Sequence, residues 1–212
     1  MFELYLKDVM IRMFYKKFLK RVFDFIFAFF CLLILFVPMI IIAIAIKIDS
    51  KGPVLFKQER LGYKGKVYKM YKFRSMKVGA EKEGVYSNNK DTRVTKVGKF
   101  IRTTSLDELP QLINILKGDM SLIGFRSPLT YHPWPFDEYT PEQKIMFEVR
   151  PGITGWAQIH GRKTVEWHKR IELNVWYAQN VSFWLDLKIF FKTIFKVVSN
   201  ADNENTGETI KK

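Results

Sequence analysis

Hydrophobic and polar positions fall into three regimes along this chain. From Phe25 to Ile46, "FIFAFFCLLILFVPMIIIAIAI", 22 residues pass without a charge, and about 20 apolar residues suffice for a helix to cross a bilayer core. A secretory signal would have a shorter apolar region, about 7 to 15 residues, followed by small residues at a cleavage site. Lys47-Ile48-Asp49-Ser50 follows instead, so the segment is expected in the mature protein. Pro38, inside the run, lacks the N–H that continues a helical ladder and pushes Val37 away from α geometry. Basic residues flank the run on both sides: Arg12, Lys16, Lys17, Lys20 and Arg21 before it, Lys47, Lys51, Lys57, Arg60, Lys64 and Lys66 after it. Cytoplasmic flanks carry the Lys and Arg excess. The symmetry therefore predicts a re-entrant helix-break-helix hairpin over about residues 20–48 with both ends cytoplasmic; a Pro-kinked spanning helix is the alternative.

Past residue 50 the pattern is that of a soluble domain. Val54 to Gln58 and Lys66 to Phe73 show partial period-2 alternation and are separated by Gly62 and Gly65, which predicts strands in a hairpin. "GAEKEGVYSNNKD", Gly79 to Asp91, is expected as a polar surface loop. "VGKFIRTTSLDELPQLINILKGDMSLIG" predicts a helix from about Val97 and a second from Leu106 to Leu116, closed by Lys117-Gly118. In the third regime, "VSFWLDLKIFFKTIFKVV" (Val181 to Val198), Lys188, Lys192 and Lys196 fall four apart along one stripe. Phe183, Leu187, Phe190, Phe191, Ile194 and Val198 take much of the remaining circumference. Such a helix can lie in a headgroup layer, with Trp184 and the other aromatics at the acyl boundary and Lys188 and Lys192 on anionic membrane lipids. Otherwise its apolar face packs on the domain core. The expected organisation is α+β: a membrane-anchoring segment 1–50, a small, mostly helical cytoplasmic domain 51–199 with short strands and interfacial amphipathic helices, and a disordered tail 200–212.

Charge narrows the partners. Lys+Arg number 35 against 21 Asp+Glu, a formal charge of +14, which attracts nucleic acid, anionic lipid or phosphorylated substrates. No nucleic-acid-binding signature is present, and the apolar run argues against a soluble nucleic-acid module. Cys31, the one cysteine, lies within that run; it excludes an intrachain disulfide and a thiolate metal site. His132, His160 and His168 lack metal-ligand spacing.

The acids of "TTSLDELPQL", residues 103–112, have two readings. Ser105 and Glu108 match the S-x-x-E capping box, and Asp107 and Glu108 would both sit favourably at a helix N-terminus. Yet Arg102 lies just upstream, and most of Lys72, Arg74, Arg93, Arg126, Arg150 and Arg162 come without matching carboxylates, a pattern suited to a phosphate-bearing ligand. Cationic neighbours keep an Asp ionised, as a carboxylate nucleophile requires, and a divalent cation would screen it from a pyrophosphate. Both readings can hold at once, with Ser105 capping while Asp107 faces the ligand. In "VRPGITGWAQIHGR", Val149 to Arg162, the residues Pro151, Gly152, Gly155 and Gly161 allow backbone amides to approach an anion, and Trp156 could stack on a base.

Taken together, "KRVFDFIFAF", "YKFRSM", "TSLDELPQLINILKGDMSLIG" and "VRPGITGWAQIHGR" resemble the bacterial sugar transferase family, small monotopic phosphoglycosyl transferases that begin glycan assembly on a polyprenol phosphate. The resemblance covers roughly Lys20 to Val198. It implies a re-entrant helix at the cytoplasmic face of the bacterial inner membrane, a nucleotide-sugar donor (a UDP-sugar), Mg²⁺, and a covalent aspartyl-phosphosugar intermediate. Asp107 would be the nucleophile and Glu108 its partner, both on Mg²⁺. Lys72, Arg74, Arg102, Arg126, Arg150 and Arg162 would hold phosphates or nucleotide, with Pro38, Lys20, Arg21, Trp184, Lys188 and Lys192 at the membrane. A homo-oligomer is left open. Two departures stand out: Val37-Pro38 where the family has Ser-Pro, and Phe125-Arg126-Ser127-Pro128 where it has Pro-Arg-Pro. The competing reading is a basic, membrane-tethered binding protein that recruits anionic partners, which would release no nucleoside monophosphate from a donor.

Overall fold

A computed structural model describes residues 2–80, 84, 91–161 and 165–199. Helix α1 (Phe2–Phe14) passes through one π-helical turn, Tyr15–Leu19, into α2 (Lys20–Asp49). The expected break at Pro38 is not a gap in the helix: α2 runs through it, although Pro38 has no N–H to give to the preceding turn. A helix apolar on every side cannot be covered all round by so small a domain. One seam of α2 packs inward, through Asp24, Ala28, Cys31, Leu35, Met39, Ile42 and Ile46, spaced three and four apart. Phe25, Phe29, Leu33, Phe36, Ile40 and Ile44 are exposed on the remainder.

The expected hairpin is present. Strand β1 (Leu55–Leu61) pairs antiparallel with β2 (Val67–Phe73), from Leu55 opposite Phe73 to Leu61 opposite Val67. Helix α3 (Lys96–Thr103) is capped by Thr95, whose hydroxyl accepts from the Gly98 N–H at 3.0 Å. The single helix expected over Leu106–Leu116 is instead a one-turn 3-10 helix, Leu106–Glu108, followed by α4 (Gln111–Lys117). Pro110 marks the boundary, because its ring suits a helix start and not a helix interior. The predicted capping box does not form either: Ser105 has φ 60° and ψ 14°, and its side chain makes no cap bond. An N-cap needs extended backbone. At the other end of α4, Gly118 takes the left-handed conformation (φ 88°) usual just past a helix. Arg21 donates to the Ile115 and Leu116 carbonyls there.

Strand β3 (Ser121–Ile123) lies parallel to β4 (Gly152–Thr154). Gly124 sits beside this pair so closely that a Cβ would strike the Arg150 carbonyl. Short helices α5 (Pro141–Lys144) and α6 (Trp156–Ile159) lead to α7 (Trp167–Asn180) and α8 (Phe183–Val198). The main core gathers Ile123, Phe125, Tyr139, Phe147, Tyr177 and Ile189. A second cluster joins Ala28 to Tyr68, Met70, Leu112, Ile115 and Met120, and a third joins Ile46 to Phe73 and Ile101. The fold is thus a mixture of helix and strand with a long apolar N-terminal helix built into its core.

Polar contacts fasten both ends of α2. At its start, buried Asp186 accepts from Tyr15 Oη (2.8 Å), Lys20 Nζ (2.7 Å) and Tyr177 Oη (2.7 Å). Asp24 accepts from the Ser121 hydroxyl and the Leu122 N–H. At its end, Arg74 donates to the Ile46, Ser50 and Lys51 carbonyls, and Asp49 accepts from the Val97 N–H at 2.9 Å.

Helix α8 packs one face on the domain, as the second expectation had it, and leaves much of the rest exposed. Asp186, Ile189 and Thr193 lie toward the domain, whereas Phe183, Trp184, Phe191, Ile194 and Phe195 are exposed, Trp184 by 75%. Lys188 and Lys192 are exposed as well. Phe23 meets Phe183, and Phe27 meets Phe190, so the exposed apolar surfaces of α2 and α8 adjoin. Most of the loop expected over residues 79–91, and the tail expected over 200–212, lie outside the described residues.

Candidate active site

The hairpin register determines what faces the acids. Side chains two apart share a sheet face, and opposite partners share it as well. Phe56, Gln58 and Arg60 on β1 therefore lie on one face with Lys72, Met70 and Tyr68 on β2. Lys72 Nζ reaches Glu108 Oε1 at 2.7 Å. The 3-10 turn that presents Glu108 also presents Asp107, and Arg102, from the last turn of α3, acts on the Asp107 carboxylate electrostatically.

Burial pushes the Asp107 carboxyl above the usual aspartate range. Lys72 pulls it back, neighbouring Glu108 raises it further, and Arg102 lowers it. The net direction is opposite to what cationic neighbours alone would produce: this carboxyl holds a proton more firmly than in water. A desolvated carboxylate restrained by two cations is a better nucleophile than a well-hydrated one.

Arg126 belongs to the same neighbourhood. Arg60 lies within electrostatic range of both Arg126 and Glu108, and burial, with Arg126 adding to it, pushes the Arg60 guanidinium down to about 10. Arg60 was read in the sequence only as a basic flank. The hairpin register carries the signal that would have found it, since it sets Arg60 opposite Tyr68 on the face of Lys72.

Other expected ligand-binding residues lie elsewhere. Arg74 is buried at the C-terminus of α2 with its guanidinium on backbone carbonyls, which assigns it to anchoring that helix. Arg150 donates from Nε to the Gly118 carbonyl at 2.9 Å and covers the Tyr63 ring at 5.3 Å. It therefore sits past the far end of α4, seven residues or about 10 Å of helix from the acids' end. Arg162 lies outside the described residues. Of the glycines expected to cradle an anion, Gly152 and Gly155 pack closely against the Gly124 backbone. Trp156, expected as a base platform, stacks on Trp176 at 4.5 Å with Lys188 over its ring.

Lys72 and Arg102 thus act on the acid pair directly, and Arg60, with Arg126 in its own range, acts on Glu108, an arrangement that attracts a phosphate ester while keeping one carboxylate desolvated. Among the described residues no group of three or more His, Cys, Asp and Glu could enclose a metal ion. Two adjacent carboxylates nevertheless fit Mg²⁺, which is commonly held by one or two carboxylates together with substrate phosphates.

Known proteins share this chain's pattern over most of its length. It is 45% identical over 189 residues to EpsL of Bacillus subtilis strain 168, described as an uncharacterized sugar transferase, covering 89% of this chain and 92% of that protein. It is 44% identical over 186 residues to the UDP-glucose:undecaprenyl-phosphate glucose-1-phosphate transferase of Escherichia coli K12, covering 85% of this chain and 40% of that one. A UDP-N-acetylgalactosamine-undecaprenyl-phosphate N-acetylgalactosaminephosphotransferase of Aeromonas hydrophila is 41% identical over 186 residues, covering 86% and 44%. The chain therefore spans less than half the length of the latter two. The model of bacterial sugar transferases matches residues 15–200, from the π-turn before α2 past the end of α8 and across the whole acid-pair site, and the chain belongs to that family.

Proposed function

We propose that this chain is a phosphoglycosyl transferase that moves a sugar-1-phosphate from a UDP-sugar to undecaprenyl phosphate, with Asp107 as the nucleophile, at the cytoplasmic face of the bacterial inner membrane. The observation that carries this reading is the setting of Asp107: a desolvated carboxyl beside the Glu108–Lys72 pair, with Arg102 acting on it, in a site otherwise cationic. The relatives' names supply the substrate class. In the first half-reaction an Asp107 carboxylate oxygen attacks the sugar-linked phosphorus, and the bond from that phosphorus to the nucleoside monophosphate breaks. The monophosphate departs with the bonding electrons. In the second, a phosphate oxygen of undecaprenyl phosphate attacks the same phosphorus, the bond to Asp107 breaks, and the carboxylate is regenerated. Lys72 and Arg102 favour the ionised form of Asp107 against the effect of burial, and Lys72 holds Glu108 in place. Mg²⁺, when bound by Asp107 and Glu108, would neutralise charge on the donor's phosphates. The product would initiate a capsule, exopolysaccharide or glycoprotein glycan.

The same reading makes α2 monotopic. Its ends are tied to one domain through Lys20 and Asp24 at the start and Asp49 and the Arg74-bound carbonyls at the end, which supports setting both flanks on one side of a membrane. The exposed faces of α2 and α8 would sit in the lipid, with Lys188 and Lys192 on anionic headgroups. Cysteines placed at exposed Lys17 and Lys51, in a Cys31→Ser background, should both resist a membrane-impermeant thiol reagent in intact cells; labelling of only one would establish a span.

The deciding experiment uses the full chain in lipid nanodiscs with radiolabelled UDP-sugars. Without acceptor, the protein should retain labelled sugar and release one nucleoside monophosphate per site. Undecaprenyl phosphate should then remove the label, and Asp107→Asn should never acquire it. Turnover by Asp107→Asn would overturn the assignment of the nucleophile, and nucleotide binding without monophosphate release would favour a tethered binding protein.

A further inference from the structure

In this chain Ser127 stands between Arg126 and Pro128, so Arg126 has no proline on either side. The end of β1 runs alongside this stretch. The Leu61 N–H donates to the Pro128 carbonyl at 3.1 Å, the Ser127 hydroxyl donates to the Leu61 carbonyl at 2.7 Å, and Arg60 bridges antiparallel to Leu129. Arg60 closes the turn from the side: Nη1 donates to the Ser127 carbonyl at 2.7 Å, while Nε and Nη2 both donate to Gln58 Oε1, at 3.1 and 2.7 Å. The Arg126 N–H in turn donates to buried Asn174 at 3.4 Å.

This is a costly use of a guanidinium. Among the described residues neither Arg60 nor Arg126 forms an ion pair with a carboxylate. A half-buried charge without such a partner leans on hydrogen bonds to replace lost water. The bonds Arg60 makes go to its own strand or to the turn that carries Arg126. Its like charge also opposes collapse of the Arg126 side chain back onto that turn.

We propose that Arg60 and Ser127 are positioning residues for Arg126: they fix the 126–128 turn so that the Arg126 guanidinium stands at the acid-pair site and takes a phosphate of the nucleotide donor. Hydrogen bonds from β1 thereby replace a proline frame. The proposal rests on the phosphosugar-transfer reading, and its test is separate from the labelling of Asp107.

The test is a double-mutant cycle read as the Kd of UDP, by calorimetry on the full chain in nanodiscs. Arg60→Gln should weaken UDP binding about tenfold, Arg126→Ala by at least as much, and the double variant no further than Arg126→Ala alone, because groups acting through one another are not additive. Ser127→Ala should weaken binding about threefold, again only while Arg126 is present. Ser127→Pro should return to within about twofold of wild type, since proline fixes the backbone that the hydroxyl otherwise holds. Additive losses would mean that Arg60 acts by itself and would overturn the proposal, as would an unchanged Kd in Arg60→Gln or no UDP binding by the wild type. If Arg60→Gln shows no thermal transition, the Ser127→Ala and Arg126→Ala pair decides by the same rule. Failure of Asp107 labelling alongside a coupled cycle would sink the nucleophile assignment and leave the positioning role standing.

Discussion

Asp186 and Glu108 each take a lysine ammonium at 2.7 Å, but in different surroundings. The Asp186 side chain is 5% exposed, and both its oxygens are filled by donors from three elements: Tyr15 and Lys20 around the start of α2, and Tyr177 on α7. Glu108 is 26% exposed, sits in a single 3-10 turn, and has a second carboxylate next to it in the chain. A carboxylate whose lone pairs are met by fixed donors of its own fold serves as a joint. One that shares its cations with a like-charged neighbour remains disposed toward something from outside. The Lys contact, taken alone, does not distinguish the two.

The largest effect should separate the joint from the candidate reaction centre. Asp107→Asn is expected to lower kcat by at least about 10⁴-fold, as losses of covalent nucleophiles do, measured as monophosphate release. Its effect on stability should have the opposite sign. Because the folded-state pKa of Asp107 is raised, the native state binds this proton more tightly than the unfolded chain. Stability therefore falls as pH rises above the ordinary aspartate value of 3.8 and stays lowered beyond the folded pKa. Asp107→Asn should melt above wild type at pH 7, with the gap closing toward pH 3.8. A lower melting temperature at pH 7 would mean that Asp107 is also a joint.

Asp186→Ala comes next. It leaves Lys20 buried and uncompensated, at a cost of about 3–5 kcal/mol, to be read by denaturant titration in detergent. A loss below about 1 kcal/mol would show that the buried pair contributes little here.

These two sites were not equally legible in the sequence. The acid pair was readable because two adjacent carboxylates are conspicuous in a basic chain, and the hairpin because its alternation and glycines are local. The joint was not, since Tyr15 and Asp186 lie 171 residues apart and only the packing of α8 against α2 brings them together. Lys72 and Arg74, two residues apart on the same stretch, looked equivalent, yet one reaches Glu108 and the other caps α2. The helix expected over Leu106–Leu116 failed on backbone grounds: Pro110 divides it and a left-handed Ser105 cannot cap it, and side-chain periodicity reports neither.

A third, smaller effect tests the shared cation. Lys72→Met should cut kcat about 10²-fold, the usual loss for one electrostatic donor. Because Lys72 lowers the Asp107 pKa, its removal should also shift the acid limb of the pH–rate profile to higher pH. An unmoved limb would place the titrating group elsewhere. The smallest effect concerns Ser105. Gly at this left-handed position relieves about 1–2 kcal/mol of strain and loses about 0.5–1 through backbone entropy. Ser105→Gly should thus raise stability by about 0.5 kcal/mol in the same titration, whereas loss of a true cap would lower it.

Helix α4 begins just past the acids and ends in the grip of Arg21, a residue of the anchor helix. It therefore spaces Asp107 and Glu108 about 10 Å of helix from the Arg21 contact, while Leu106 and Leu109 pack beside Met39, Ile42 and Ile46 further along α2. Inserting one residue would displace the acids by only about 1.5 Å but turn them by about 100° about the helix axis, away from Lys72. The seven-residue length of α4 thus sets the angle at which the acids face Lys72 relative to the Arg21 contact with α2.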